Sequence, residues 1–127
     1  MIVGLGIDLV EVARIERLLR EKGERAVERI FTPREAEYAK RRAAPAQHFA
    51  ARFAAKEACY KALSGDDTAR AVGWRDIEVV AGPDGRPTLE LHGHARRRAD
   101  QLGVVRALVT LTHTDGVAGA VVVLERD

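Results

Sequence analysis

Hydrophobic positions along the chain follow two alternating periodicities. From Ile2 to Val10 apolar residues recur at every second position (Val3, Leu5, Ile7, Leu9), which predicts a strand, with Gly4, Gly6 and Asp8 on its other face. Two glycines beside an acid leave that face without bulk, so another element can approach the backbone there. From Glu11 to about Lys22 the spacing changes to three and four. Val12, Ile15, Leu18 and Leu19 then form one stripe of a helix, with Arg14, Arg17 and Glu21 opposite. Gly23 ends that helix, and a short helical piece covers residues 24–30. Thr32, Pro33 and Glu35 supply an N-cap, a first-turn proline and a first-turn acid for a helix running to about Arg42. The longest helix is expected over about 46–63, with Gly65 closing it after Ser64. A loop over 66–74 leads to a hairpin, 76–80 and 88–91, around Gly82-Pro83-Asp84-Gly85-Arg86-Pro87. A helix over 94–102 ends at Gly103, and strands over 104–112 and 117–124 flank His113-Thr114-Asp115-Gly116. No repeat, low-complexity tract or linker divides the chain. The pattern therefore predicts a single α+β domain over residues 1–127, with a largely antiparallel sheet and one long helix.

Composition changes this picture in two respects. The chain is 46% hydrophobic but only 5% aromatic, so aliphatic residues and alanine must build a modest core, which leans towards oligomers. Its formal charge of +2 is too small for a strongly basic polyanion binder. Arginine nevertheless clusters at Arg14, Arg17, Arg20 and Arg25 and again at Arg96, Arg97 and Arg98, as solvated faces or as patches for phosphate, nucleic acid or an acidic protein. The single cysteine, Cys59, excludes an internal disulfide framework and reads as a buried thiol among alanines. The apolar N-terminus is interrupted by Asp8 and Glu11 and lacks a basic n-region, so it does not read as a signal peptide. No stretch is long enough to span a membrane, and the protein is expected to be cytoplasmic.

Three segments carry polar groups where amphipathic patterning alone would not put them. Asp8 ends an apolar strand; it is either an exposed acid that begins the next helix or a carboxylate that needs a cation when desolvated. In Arg52-Phe53-Ala54-Ala55-Lys56-Glu57-Ala58-Cys59-Tyr60-Lys61, Glu57 and Lys61 are four apart, as are Arg52 and Lys56. That spacing gives either ordinary surface ion pairs or a metal carboxylate beside cations that hold phosphate oxygens. His113 continues the row Val105, Ala107, Val109, Leu111, as a core or turn histidine or as a ligand beside the hydroxyls of Thr112 and Thr114. His92 and His94 lie close together but lack a third ligand at zinc spacing.

Together these segments resemble the holo-acyl-carrier-protein synthase family, the small 4'-phosphopantetheinyl transferases. The resemblance runs in family order through Gly4-Leu5-Gly6-Ile7-Asp8-Leu9-Val10-Glu11 with Arg14-Ile15, then Phe31-Thr32 with Glu35. It continues through Arg52-Phe53-Ala54-Ala55-Lys56-Glu57-Ala58 with Lys61-Ala62-Leu63, Asp84-Gly85-Arg86-Pro87, and Thr112-His113-Thr114. The helical motif around Lys56-Glu57-Ala58 is the most specific. Thr112 departs from the serine frequent before the histidine, and Cys59-Tyr60 occupies a variable place.

The resemblance implies a transferase that moves phosphopantetheine from coenzyme A onto a serine of an acyl carrier protein. Asp8 and Glu57 would bind magnesium, an ion that commonly uses few protein carboxylates plus waters and phosphates. Lys61 would lie near the pyrophosphate and Glu57 would be the base, while Arg52, His113 and Thr114 would bind coenzyme A phosphates. Gly85, Arg86 and Pro87 would approach the nucleotide from a neighbouring subunit, because the family is trimeric with sites between subunits. Arg14, Arg17 and Arg25 would dock the acidic carrier. It gives His92 and His94 no role. The competing readings are a nucleotide-binding module without transfer activity and a nucleic-acid-binding protein. Near-neutral charge and the lack of interleaved aromatics speak against the latter. A rival within the enzyme reading is a carrier from polyketide or peptide synthesis rather than fatty-acid synthesis.

Overall fold

The structure is a computed structural model that describes residues 1–127. Its elements run β1 (Ile2–Glu11), α1 (Val12–Lys22), α2 (Glu24–Ile30), α3 (Pro33–Lys40), α4 (Pro45–Leu63), α5 (Asp67–Arg70), β2 (Ile77–Ala81), β3 (Pro87–Leu91), α6 (Gly93–Leu102), β4 (Arg106–His113) and β5 (Val117–Glu125). All strand pairing is antiparallel, but it is divided between a three-stranded sheet, β1-β5-β4, and the separate hairpin β2-β3.

Most helix ends follow the local chemistry of the sequence. Gly23 (φ 59°) separates α1 from α2, and Gly103 (φ 75°) closes α6 in a left-handed conformation that favours glycine. Thr32 and Glu35 form a reciprocal capping box at α3. That helix stops at Lys40 rather than Arg42, and Pro45 starts the next helix after a short turn. The expected loop over 66–74 holds a short helix, because the Asp66 side chain accepts from the Ala69 amide at 2.9 Å and caps α5.

The architecture centres on α4, most of whose residues are buried, including Phe49, Phe53, Cys59, Leu63 and a run of alanines. Such a helix, covered on most of its sides, belongs in a core, and its alanines let neighbouring elements approach closely. The closest approach is to β1. A Cβ on Gly6 would lie 1.8 Å from the Ala58 carbonyl oxygen, and one on Gly4 would lie 2.4 Å from that of Ala62. The face of β1 without bulk is therefore the helix-covered face. Its apolar row points outward, with Leu5, Ile7 and Leu9 exposed at 66%, 60% and 69%. Leu5 aligns with Val123 and Leu108 across the sheet, and Ile7 with Val121, so this outer face is apolar over β1 and β5 and at Leu108, while Thr110 and Thr112 follow on β4. No helix of the molecule is long and apolar enough to cross a membrane.

A buried polar cluster ties α3, α4 and β2 together. Glu35 accepts from the Thr32 amide (2.9 Å) and the Val79 amide (2.8 Å), and pairs with Lys56 at 2.7 Å. Lys56 also donates to the carbonyls of Trp74 (2.9 Å) and Ile77. Burial pulls the Lys56 pKa down, and Glu35 only partly opposes this. Lys56 is thus enclosed within the fold and offers no exposed charge to a phosphate.

Candidate active site

The register between strand and helix brings the first two expected ligands together. Gly4 lies under Ala62 and Gly6 under Ala58, so two strand residues match four helix residues, each about 6–7 Å of rise. Continuing that register brings Asp8 level with Ala54. Side chains of a helix lean towards its N-terminus, so Glu57 and Lys61 lean back over β1 towards Asp8. Lys61 Nζ donates to Asp8 Oδ1 at 3.1 Å and to the Ile7 carbonyl at 2.9 Å. Lys61 therefore pairs across to the strand, and the ordinary i,i+4 surface pair with Glu57 does not form.

Burial raises the Glu57 pKa, and the negative charge of Asp8 raises it further, against the weaker opposing effects of Lys61 and Arg14. Two carboxylates thus repel each other across one partly buried space. This arrangement fits a small divalent cation: the donors are hard oxygens and their mutual repulsion is relieved by a positive charge between them. Two protein carboxylates are also a usual complement for magnesium beside substrate phosphates. A cleft of about 320 Å³ opens beside Glu57, lined also by Tyr60, Val72, Trp74 and Ile77.

On the same helix-covered face the sheet carries the rows Asp8–Ala120–Leu111 and Val10–Ala118–His113. His113 therefore shares a face with Asp8, two strands away. Its ring lies 6.2 Å from that of His48 in the first turn of α4. Arg52, one turn further along α4, places its guanidinium 4.0 Å from the Tyr38 ring centroid. Arg52 is only 3% exposed, and its Nε is buried with no hydrogen-bond acceptor. A buried charged donor without a partner costs upwards of about 1–3 kcal/mol, so the site favours an anion there. Burial also lowers the Arg52 pKa, the direction expected where a cation lacks a full counter-charge.

Other expected site residues are placed elsewhere. The Thr114 hydroxyl accepts from the Val117 and Gly116 amides at 3.1 and 3.3 Å, which caps the β4–β5 turn. Gly85 (φ 83°), Arg86 and Pro87 lie at the β2–β3 turn, where the Arg86 guanidinium is 3.9 Å from Asp84 and makes no ion pair with the strand–helix site. Arg14 and Arg17 are exposed on α1 and Arg25 on α2. Arg14 also lies 5.6 Å from the Phe53 ring centroid. Phe53 in turn stacks on Trp74 at 4.9 Å.

Sequence spacing did not reveal the role of His92. It bonds Glu78 at 3.0 Å, in a network where Thr32 donates to Glu78 at 2.6 Å and Arg34 bridges Glu78 and Glu90. Glu78, Glu90 and His92 lie close enough to hold a metal ion. Arg34 and Thr32 already occupy Glu78, however, and a cation would have to displace them, so the group is a structural network. Burial alone would raise the Glu78 pKa, but hydrogen bonds from Arg34, Thr32 and His92 outweigh it and hold the value at about 2. His94 lies within 3.4 Å of the Arg97 guanidinium. Cys59 is fully buried, and burial pushes its thiol up to about 12, which leaves it inert.

An α+β fold with an acid-bearing glycine strand laid against a helix brings the carboxylates of Asp8 and Glu57 and the Lys61 ammonium to one strand–helix junction. Residues 4–122 match the 4'-phosphopantetheinyl transferase superfamily, and the chain belongs to that family. It is 47% identical over 126 residues to a holo-acyl-carrier-protein synthase of Geobacter sulfurreducens, covering 99% of each chain. It is 50% identical over 129 residues to one from a Methylobacterium species, covering 98% of this chain and 95% of that one. Among solved structures, it is similar to the holo-acyl-carrier-protein synthase of Neisseria meningitidis (TM-score 0.86, 29% identity, 99% and 100% coverage). It is also similar to the Helicobacter pylori enzyme in complex with coenzyme A (TM-score 0.81, 30% identity, 95% and 99% coverage).

Proposed function

We propose that this chain is a holo-acyl-carrier-protein synthase: it transfers 4'-phosphopantetheine from coenzyme A to a serine of an apo acyl carrier protein and releases adenosine 3',5'-bisphosphate. The observation that carries this reading is the convergence of Asp8, Glu57 and Lys61 where the glycine face of β1 meets α4. Asp8 and Glu57 would hold magnesium. When bound, that ion supplies positive charge that stabilises the oxygens of the diphosphate as the bond breaks.

The carrier serine oxygen attacks the phosphorus that bears pantetheine, and the bond from that phosphorus to the oxygen of the departing nucleotide breaks. Glu57 receives the serine proton, directly or through a water. Lys61 is half-exposed and carries its ammonium at the same place, where it opposes negative charge accumulating on the leaving phosphate. Arg52 and His113 hold a phosphate of coenzyme A at the other end of α4, with Thr114 beside His113. The cleft beside Glu57, part apolar and part polar, suits the amphipathic pantetheine arm.

A groove of about 580 Å³ between α1 and α2 combines Leu18, Ile30 and Trp74 with Lys22, Arg25 and Arg29. Its apolar floor and basic rim suit an amphipathic acidic helix of the carrier. Arg14 and Arg17 extend the positive face towards Glu57, chiefly to steer association. The exposed apolar row of the outer sheet face supports assembly into a trimer. In such an assembly Gly85, Arg86 and Pro87 of one subunit would complete a neighbour's nucleotide site. The carrier assigned is that of fatty-acid synthesis.

The test is incubation with coenzyme A, magnesium and apo carriers from fatty-acid, polyketide and peptide systems. A mass gain of one phosphopantetheine on the fatty-acid carrier supports the reading. Binding of coenzyme A without transfer to any carrier would leave a nucleotide-binding module.

A further inference from the structure

Around the first turns of α4, basic and aromatic groups meet without a carboxylate hydrogen-bonded among them. Arg42, which follows α3, and Arg52 of α4 each lie 4.0 Å from the Tyr38 ring centroid. Tyr38 meets His48 edge-on at 5.9 Å, and His48 lies 6.2 Å from His113 of β4. The titratable and charged groups facing His48 are thus Arg42, Arg52, His113 and the Tyr38 phenol. Glu35, the acid that acts on Arg52, is already engaged with Lys56. The unpartnered Nε of the buried Arg52 is an independent sign that an anion belongs here.

Burial lowers the His48 pKa, and the charges of Arg52, Arg42 and His113 lower it further, so the free protein disfavours the His48 imidazolium. A doubly charged phosphate monoester seated among these groups would reverse the sign of that field. We propose that His48 is a contact for the phosphate monoester of the substrate and takes up a proton from solvent when that group binds. The resulting imidazolium then donates to the phosphate alongside Arg52 and His113.

This rests on the coenzyme A reading, in which the nucleotide carries one phosphate monoester, on its ribose, and one diphosphate. Arg52 precedes Glu57 by five residues, so the two point about 140° apart around α4: Arg52 lines a cleft with Tyr38 and Arg42, Glu57 one with Tyr60 and Trp74, and the monoester and diphosphate sites are distinct. The diphosphate end is served by Asp8, Glu57 and Lys61, and the monoester end by Arg52, His113 and His48. Without this role, His48 is merely a packing link between Tyr38 and His113.

Calorimetric titration with coenzyme A and with dephospho-coenzyme A, each with magnesium and without carrier, separates these roles. It is run at pH 7 in two buffers of different ionisation enthalpy. The native protein is expected to take up roughly half a proton per coenzyme A and none per dephospho-coenzyme A. His48→Phe keeps a ring in the stack but cannot be protonated; it should show no uptake and bind coenzyme A about fivefold or more weakly. Circular dichroism checks that it folds, and His48→Gln provides a second variant. Native uptake and affinity in both His48 variants, or loss of uptake only in His113→Gln, would overturn the assignment. Failure of the native protein to bind either ligand would instead overturn the coenzyme A reading itself, and this inference with it.

Discussion

Glu35 and Lys56 form an ion pair, 2.7 Å between Oε1 and Nζ, in which neither side chain has any solvent exposure. The pair joins α3 to α4, and its partners lie on the α3 cap, in the turn at Trp74 and on β2. It also sits one residue from Glu57, so it sets how that turn of α4 rests against its neighbours.

Removing either partner should therefore strand a buried charge. Glu35→Gln or Lys56→Met is expected to destabilise the fold by about 3–5 kcal/mol in urea denaturation. Replacing both with leucine is not expected to restore stability, although apolar replacement of a buried pair is often neutral. Here the Thr32 and Val79 amides and the Trp74 and Ile77 carbonyls would lose their partners. A double variant as stable as the native protein would contradict this account.

Gly6 and Gly85 should respond differently to alanine. A Cβ at Gly6 meets the Ala58 carbonyl at 1.8 Å, so Gly6→Ala must lift α4 from β1. That should cost about 3 kcal/mol or more and weaken magnesium binding, because Asp8 and Glu57 lie on the two separated elements. At Gly85 nothing lies within 4 Å, and only the positive φ of 83° opposes a side chain. Gly85→Ala should cost about 1–2 kcal/mol, read from the same denaturation curves.

Lys61→Ala separates chemistry from stability. The Lys61–Asp8 pair is half-exposed on the lysine side and contributes at most about 1 kcal/mol to folding. The expected result is a melting temperature close to native and a fall in kcat of about a hundredfold or more. Equal loss of stability and rate would make Lys61 a structural residue.

Acid stability should depend on Glu78. Its carboxyl is held at about 2 in the folded protein against an ordinary value of 4.5, so the folded state binds fewer protons than the unfolded one between these values. The contribution is fully present above about 4.5 and is lost as pH falls towards 2. Glu78→Gln should be less stable at neutral pH, and urea midpoints measured from pH 6 to 2 should fall less steeply than in the native protein.

Much of this organisation was legible in the sequence because it rests on local chemistry. Gly23, Gly65 and Gly103 mark the ends of helices, Thr32-Pro33 with Glu35 marks the start of α3, and Gly4, Gly6 and Asp8 mark a strand face awaiting a close neighbour. What was hidden depends on long-range contacts. Helical spacing offers Glu57 as the partner of Lys61, but the strand supplies Asp8 instead. Glu35 reads as a first-turn acid, and nothing local reveals that it meets Lys56 and the Val79 amide in the core. The alternating row Leu5, Ile7, Leu9 identifies a strand but not which side is covered, because period alone cannot say where α4 lies. His48 carries no motif, and it emerges only when α3, α4 and β4 converge.

The central claim is that Asp8 and Glu57 share one divalent cation, and the most direct test is an electron paramagnetic resonance titration with manganese as the probe. The native protein, saturated with adenosine 3',5'-bisphosphate, should bind one ion per chain. Asp8→Asn and Glu57→Gln should each weaken that binding about tenfold or more. Native-like manganese affinity in either variant would contradict the claim.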